Sequence, residues 1–357
     1  MPPLPRLLLV TPATVSDSRP IALWLLTVAA LIFAMIVIGG VTRLTRSGLS
    51  IVEWNPVMGA IPPLSASQWQ AEFEKYQRTP EYRKVNAGMS VEEFKRIYYV
   101  EWAHRLLGRL IGLVFFAPLV YFAIRRRIPA ELVPKLVGIF VLGGLQGALG
   151  WFMVKSGLVD VPRVSAYRLT AHLALAVAIY GYIFWTALHL ITAHRDSRVN
   201  PGLRRLGWTV TALVFVMILA GGFVAGTRAG FVFNTFPSMN GRFFPPGLYA
   251  MEPWWTNLFE NVTTVQFNHR LLAYLLLGVT FSYWWIGRKA NLSARVHAAF
   301  HLLLATLVLQ VVLGVTTLVL IVPVTLGALH QAGALLVFSI ALYLNHALRG
   351  EGIQRGR

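Results

Sequence analysis

The chain has no cysteine and very little acid. Without cysteine there can be no disulfides, thiolate metal ligands or iron–sulfur clusters. Only 14 of 357 residues are Asp or Glu, against 32 Lys and Arg, and charged residues make up 13% beside 56% hydrophobic ones. That balance excludes an ordinary soluble domain and points to an integral membrane protein. Eight apolar runs are long enough to cross a hydrocarbon core of about 30 Å as helices. They fall near 22–42, 101–124, 133–153, 167–191, 205–227, 265–286, 297–320 and 323–347 and leave no room for a large soluble domain. The expected fold is an all-α integral membrane protein of eight transmembrane helices in two tandem four-helix bundles.

The net charge of +18 could signal nucleic acid, but its distribution argues against that. Arg125, Arg126, Arg127 and Lys135 share one connection; Arg195, Arg198, Arg204 and Arg205 another; Arg288, Lys289 and Arg295 a third; Arg349, Arg355 and Arg357 the tail. The intervening connection 154–166 has only Lys155 and Arg163, and 321–322 has no basic residue. Alternation of this kind is the positive-inside pattern, and it places both termini in the cytoplasm. Residues 1–21 read as a short cytoplasmic tail rather than a signal or transit peptide.

The chain repeats itself. Glu101-Trp-Ala-His-Arg-Leu-Leu-Gly-Arg109 is echoed by Gln266-Phe-Asn-His-Arg-Leu-Leu-Ala-Tyr274. Gly39-Gly40 matches Gly221-Gly222, Gln146 with Gly150 matches Gln310 with Gly314, and His172 matches His330. Residues 1–200 and 201–357 are therefore expected to be copies of one four-helix unit with the same topology, related by an axis along the membrane normal. The first copy adds a long loop, 43–100. Within it, Trp69, Phe73 and Tyr76, then Phe94, Ile97 and Tyr98, have the spacing of amphipathic helices lying at the interface, broken at Thr79-Pro80.

Nine histidines are sorted by this topology. His104, His172, His269 and His330 are expected within two turns of their helix starts, at matched depth near the outer surface. His189, His194, His297, His301 and His346 fall at the cytoplasmic side. A lone buried histidine is usually a packed or hydrogen-bonded residue, but two per repeat at one depth suit axial ligation of haem iron from facing helices. His297 and His301 have i, i+4 metal spacing with no carboxylate nearby. Arg105 and Arg270 follow the first histidine of each half; their forks match haem propionates, and the alternative is snorkelling to headgroups. Arg109 and Arg168 are further candidates. Glu101 is the one carboxylate in any expected span, and its repeat partner is Gln266. That asymmetry suggests one reactive and one supporting site, unless Glu101 is merely a helix-start acid favoured by the dipole.

With these residues assembled, the chain resembles the haem A synthase family of cytochrome oxidase assembly. The resemblance rests on the eight runs, the repeat, Glu101-x-x-His104-Arg105, His172, Asn268-His269-Arg270 and His330, and it fits the cysteine-free proteobacterial and mitochondrial type. It implies oxidation of the C8 methyl of haem O by two successive hydroxylations, through haem I, to the formyl of haem A. It implies that His269 and His330, with Arg270, hold a cofactor haem b, and that His104 and His172, with Arg105, receive the substrate haem. It makes Glu101 the functionally important acid. The expected setting is the bacterial inner membrane, with haem O as substrate, a haem O synthase (protohaem farnesyltransferase) and oxidase assembly factors as partners, membrane lipid but no nucleic acid around it, and homo-oligomerisation left open. The main alternative is a di-haem b cytochrome passing electrons from quinol through the same four histidines. A di-iron carboxylate oxidase would need more acids than the spans contain, and a transporter would leave the paired histidines unexplained.

Overall fold

A computed structural model describes residues 18–55, 58–157, 163–191 and 200–349. His194, Arg195, Arg198, Arg355, Arg357 and most of the N-terminal tail lie outside the described residues. The described chain is helical: α1 (Arg19–Leu44), α2 (Ala66–Gln77), α3 (Pro80–Lys84), α4 (Val91–Ile124), α5 (Val133–Gly157), α6 (Ala166–Ile191), α7 (Pro201–Thr227), α8 (Val262–Gly287), α9 (Ala294–Val319) and α10 (Val324–Ala347). Short 3₁₀ turns and a single isolated bridge, Met239 to Arg242, complete the connections.

Among the described residues, seven helices are long and apolar enough to cross a membrane: α1, α4, α5, α6, α7, α9 and α10. The eighth expected span, α8, is a helix of 26 residues but is less apolar. Gln266, Asn268, His269, Arg270, Tyr274, Ser282 and Tyr283 interrupt its hydrocarbon character. The polar residues that make this segment interesting are the ones that dilute it.

The contacts repeat as the sequence does. α1 packs on α4 and α6 as α7 packs on α8 and α10, and α5 packs on α6 as α9 packs on α10. The seam between halves is also matched: α1 lies against α10, α7 against α6, and α6 meets α10. Lipid tails are as apolar as leucine, so helices in a bilayer associate through close packing and interhelical hydrogen bonds, each worth about 0.6 kcal/mol on average. The seam supplies both. Gly181 packs against Phe338 and Leu342, Tyr180 and Ser339 hydroxyls bond at 2.6 Å, and Gln331 Nε2 donates to Ile36 O at 2.9 Å. Phe140, Val141, Leu145, Leu309 and Val312 on α5 and α9 are exposed, as lipid-facing side chains would be.

The first loop differs from expectation. Residues 91–100 are the first three turns of α4, not a separate interfacial helix. Ser90 and Glu93 form a capping box that starts the helix there, so Glu101 is the eleventh helical residue and is no helix-start acid. His104 likewise lies nearly four turns in, not within two. The break at Thr79-Pro80 is present: α2 stops at Gln77 and Thr79 caps α3. The aromatic faces are buried against each other. Trp69, Phe73 and Tyr76 of α2 meet Phe94 and Tyr98 of α4 and Ile51 in a small separate core. At about 1.5–3 kcal/mol per buried large side chain in water, this cluster is enough to hold α2 and α3 as a cap on the α4 extension.

Candidate functional site

Each of the four matched histidines faces a glycine on the next helix. His104 on α4 lies against Gly39 of α1, and His269 on α8 against Gly221 of α7. His172 on α6 lies against Gly150 of α5, and His330 on α10 against Gly314 of α9. A Cβ at Gly150 would come within 2.9 Å of His172 Cε1, and one at Gly314 within 2.7 Å of His330 Cε1. Gly150 and Gly314 are therefore spaces kept for imidazoles, whereas a Cβ at Gly39 or Gly221 would meet its ring at 3.3 or 3.5 Å. His104 and His172 belong to the first half, His269 and His330 to the second.

The glutamines of the repeat pin two of the rings. Gln146 Nε2 lies 3.3 Å from Nε2 of His172 and donates to its carbonyl at 3.1 Å. Gln310 Nε2 lies 3.0 Å from Nδ1 of His330 and donates to its carbonyl at 2.7 Å. Among the described residues, His172 Nδ1 and His269 Nδ1 are buried without a hydrogen-bond partner. Orphaned imidazole nitrogens are costly in a dry interior, and ligation of a haem iron would satisfy them. With their glycine-backed rings and glutamine supports, the two pairs fit that group.

Glu101 and Arg105 do something the sequence did not suggest. Glu101 is 2% exposed. Its Oε2 accepts from Ser50 N (2.7 Å), Ser50 Oγ (2.7 Å) and Ile51 N (2.9 Å). Its Oε1 accepts from Arg105 Nε at 3.1 Å and Nη2 at 2.7 Å. Arg105 also donates to Ile51 O and Glu53 O and stacks on Trp54. Acid and arginine together clamp the segment after α1 onto α4. The second half repeats the device: Gln266 Nε2 donates to Phe233 O at 3.2 Å, and Arg270 donates to the carbonyls of Phe233, Thr235, Pro237 and Ser238. Arg109 donates to Asn55 O, and Arg168 lies over the Phe152 ring. In this structure Arg105 and Arg270 hold loops.

His301 Nδ1 accepts from Trp284 Nε1 at 3.0 Å. Among the described residues no three His, Asp or Glu form a metal cluster, at His297 and His301 or elsewhere. His189 and His346 pack edge-on at the opposite end of the bundle. One buried carboxylate lay outside the expected spans: Glu81 of α3, 5% exposed. Burial and the neighbouring Glu101 push it up to about 7. The signal for it was the Thr79-Pro80-Glu81 helix start beside three aromatics.

Taken together, the fold and the site define a multi-pass helical membrane protein with two repeat-related histidine pairs. Residues 22–342 match the COX15-CtaA family of cytochrome oxidase assembly proteins, and the chain belongs to that family. It is 56% identical over 336 residues, 93% of this chain and 94% of the other, to a haem A synthase of Nitrosospira multiformis. It is 52% identical over 342 residues to the haem A synthase of Nitrosomonas eutropha, covering 93% and 96%. It is 45% identical over 341 residues to haem A synthase COX15 of Arabidopsis thaliana, covering 92% of this chain and 74% of that one.

Proposed function

We propose that the chain is a haem A synthase that oxidises the C8 methyl of haem O to a formyl group through haem I. The observation that supports this most directly is the pair of glycine-backed histidine sites, read with the family membership. His269 and His330 would hold a haem b and His104 and His172 the substrate haem. A haem supplies the one-electron redox chemistry that such an oxidation needs. The protein's own part is to orient and to exclude water. Gln146 and Gln310 donate to the carbonyls of His172 and His330 and so hold those turns of α6 and α10 in place. Glu101, ion-paired with Arg105, holds the Ser50–Ile51 backbone beside the N-terminal site and so keeps that segment ordered around the substrate. α8 would be the eighth span, both termini would be cytoplasmic, and the face bearing the two long loops would be the outer face of the inner membrane. The N-terminal half, 1–200, would be the substrate half and 201–357 the cofactor half, working with a haem O synthase and oxidase assembly factors.

Co-expression with a haem O synthase, followed by haem extraction and chromatography, tests the reading. Haem A or haem I should appear, His104→Ala and His172→Ala should leave haem O with haem b retained, and His269→Ala should lose haem b. Haem b alone, at full activity as a quinol-linked cytochrome, would overturn it.

A further inference from the structure

Arg105 and Arg270 are engaged with loop carbonyls, and the carboxylates of a bound tetrapyrrole call for further cations. Another set of arginines is available. Arg43 is one turn beyond Gly39 on the same face of α1, and Gly39 backs His104. Arg228, the C-cap of α7, is two turns beyond Gly221, which backs His269. Arg43 reaches across the seam, donating to Ala225 O at 2.9 Å and Gly226 O at 3.4 Å, while its buried Nε has no hydrogen-bond partner among the described residues. Arg46 and Arg163 lie in electrostatic range of both. Two of the four are held in left-handed backbone, Arg46 at φ 55° and Arg228 at φ 60°. Glycine is the residue favoured where a helix ends that way. Gly226 packs on Ala166, and Gly157 lies against Leu49 and the Arg163 carbonyl, so the segments bearing all four arginines meet at this rim, with Glu81 in range of Arg46 and Arg228. The excess of positive charge suits a dicarboxylate.

We propose that Arg43, Arg46, Arg163 and Arg228 form a carboxylate-binding cradle at the seam between the halves, which takes the propionates of the tetrapyrroles that the histidine pairs hold. The proposal rests on the haem reading above, and an iron-free probe separates the two. Without iron, imidazole ligation contributes nothing, and binding reports the carboxylates and the apolar ring alone. The purified apo-protein in detergent is titrated with protoporphyrin IX and with its dimethyl ester at low salt, followed by tryptophan quenching. Wild type should bind the free acid about 10-fold or more tightly than the diester, as charge-assisted arginine forks require. Arg46→Gln combined with Arg163→Gln, both at exposed positions, should cut that preference several-fold without disturbing the fold. Arg228→Gln should do the same, and Arg43→Lys, which keeps the charge but loses the fork, should weaken it. Arg125→Gln, at the opposite end of the bundle, should leave it unchanged. Equal affinity for acid and ester in wild type, or an undiminished preference in the Arg46/Arg163 double variant and in Arg228→Gln, would overturn the proposal. So would native mass spectrometry showing that the four arginines retain phosphatidylglycerol while acid and ester still bind alike, since the cluster would then be a headgroup site.

Discussion

The contrast between Glu101 and Gln266 has a hydrogen-bonding origin as well as a chemical one. Glu101 meets N–H and O–H donors of Ser50 and Ile51, whereas Gln266 meets the carbonyl of Phe233. A carboxylate only accepts, and an amide also donates; each suits the polarity of its loop. Glu101→Gln would turn an NH₂ group toward donors or give up part of its bond to Arg105. The expected outcome is accumulation of haem O or haem I, a loss of haem A of about 10²-fold, unchanged haem b, and faster proteolytic cleavage within 47–55. Intact cleavage resistance with lost haem A would make the role purely electrostatic; normal haem A would remove Glu101 from the active centre. Glu101→Ala should also lower stability, by about 3–5 kcal/mol, because Arg105 would lose its partner in a buried ion pair.

At the scale of elements, the cap carries its own pH response. Glu81 has an ordinary value of 4.5 and is held at about 7 in the fold. Between those values the folded cap retains a proton that an unfolded cap releases. Its contribution is therefore complete below about 4.5 and declines as pH rises through about 7. Melting of the cap, read by near-ultraviolet circular dichroism of its aromatic cluster, should occur at lower temperature as pH increases from about 5 to about 8. Glu81→Gln should flatten that dependence; an equally steep profile in the variant would assign it elsewhere. The long apolar runs made seven spans legible in the sequence, and the repeat exposed the four histidines. α4 was misjudged at its start because hydropathy registers only the buried stretch, while the Ser90–Glu93 capping box that begins the helix lies in a charged segment. The loop clamps were invisible for a different reason. The acceptors and donors they meet, Ser50 and Phe233, are 33 to 51 residues away and largely backbone groups, which no side-chain pattern records.

For the whole molecule, the two halves share more than a sequence pattern. Reporter fusions after residues 127, 200 and 290 should report cytoplasm, and fusions at 85 and 245 the opposite side. A cytoplasmic signal at 85 would place the cap, the arginine cluster and all four histidines at the wrong membrane face.

The bond from Arg43 to the end of α7 joins residues 182 apart. At roughly 5–20 residues per second, synthesis of that interval takes about 10–40 s. During it α4, α5 and α6 are made in turn, and until its end Arg43 has no acceptor on α7. The nascent protein is therefore born open along its α6–α7 seam and closes it only when the second half arrives.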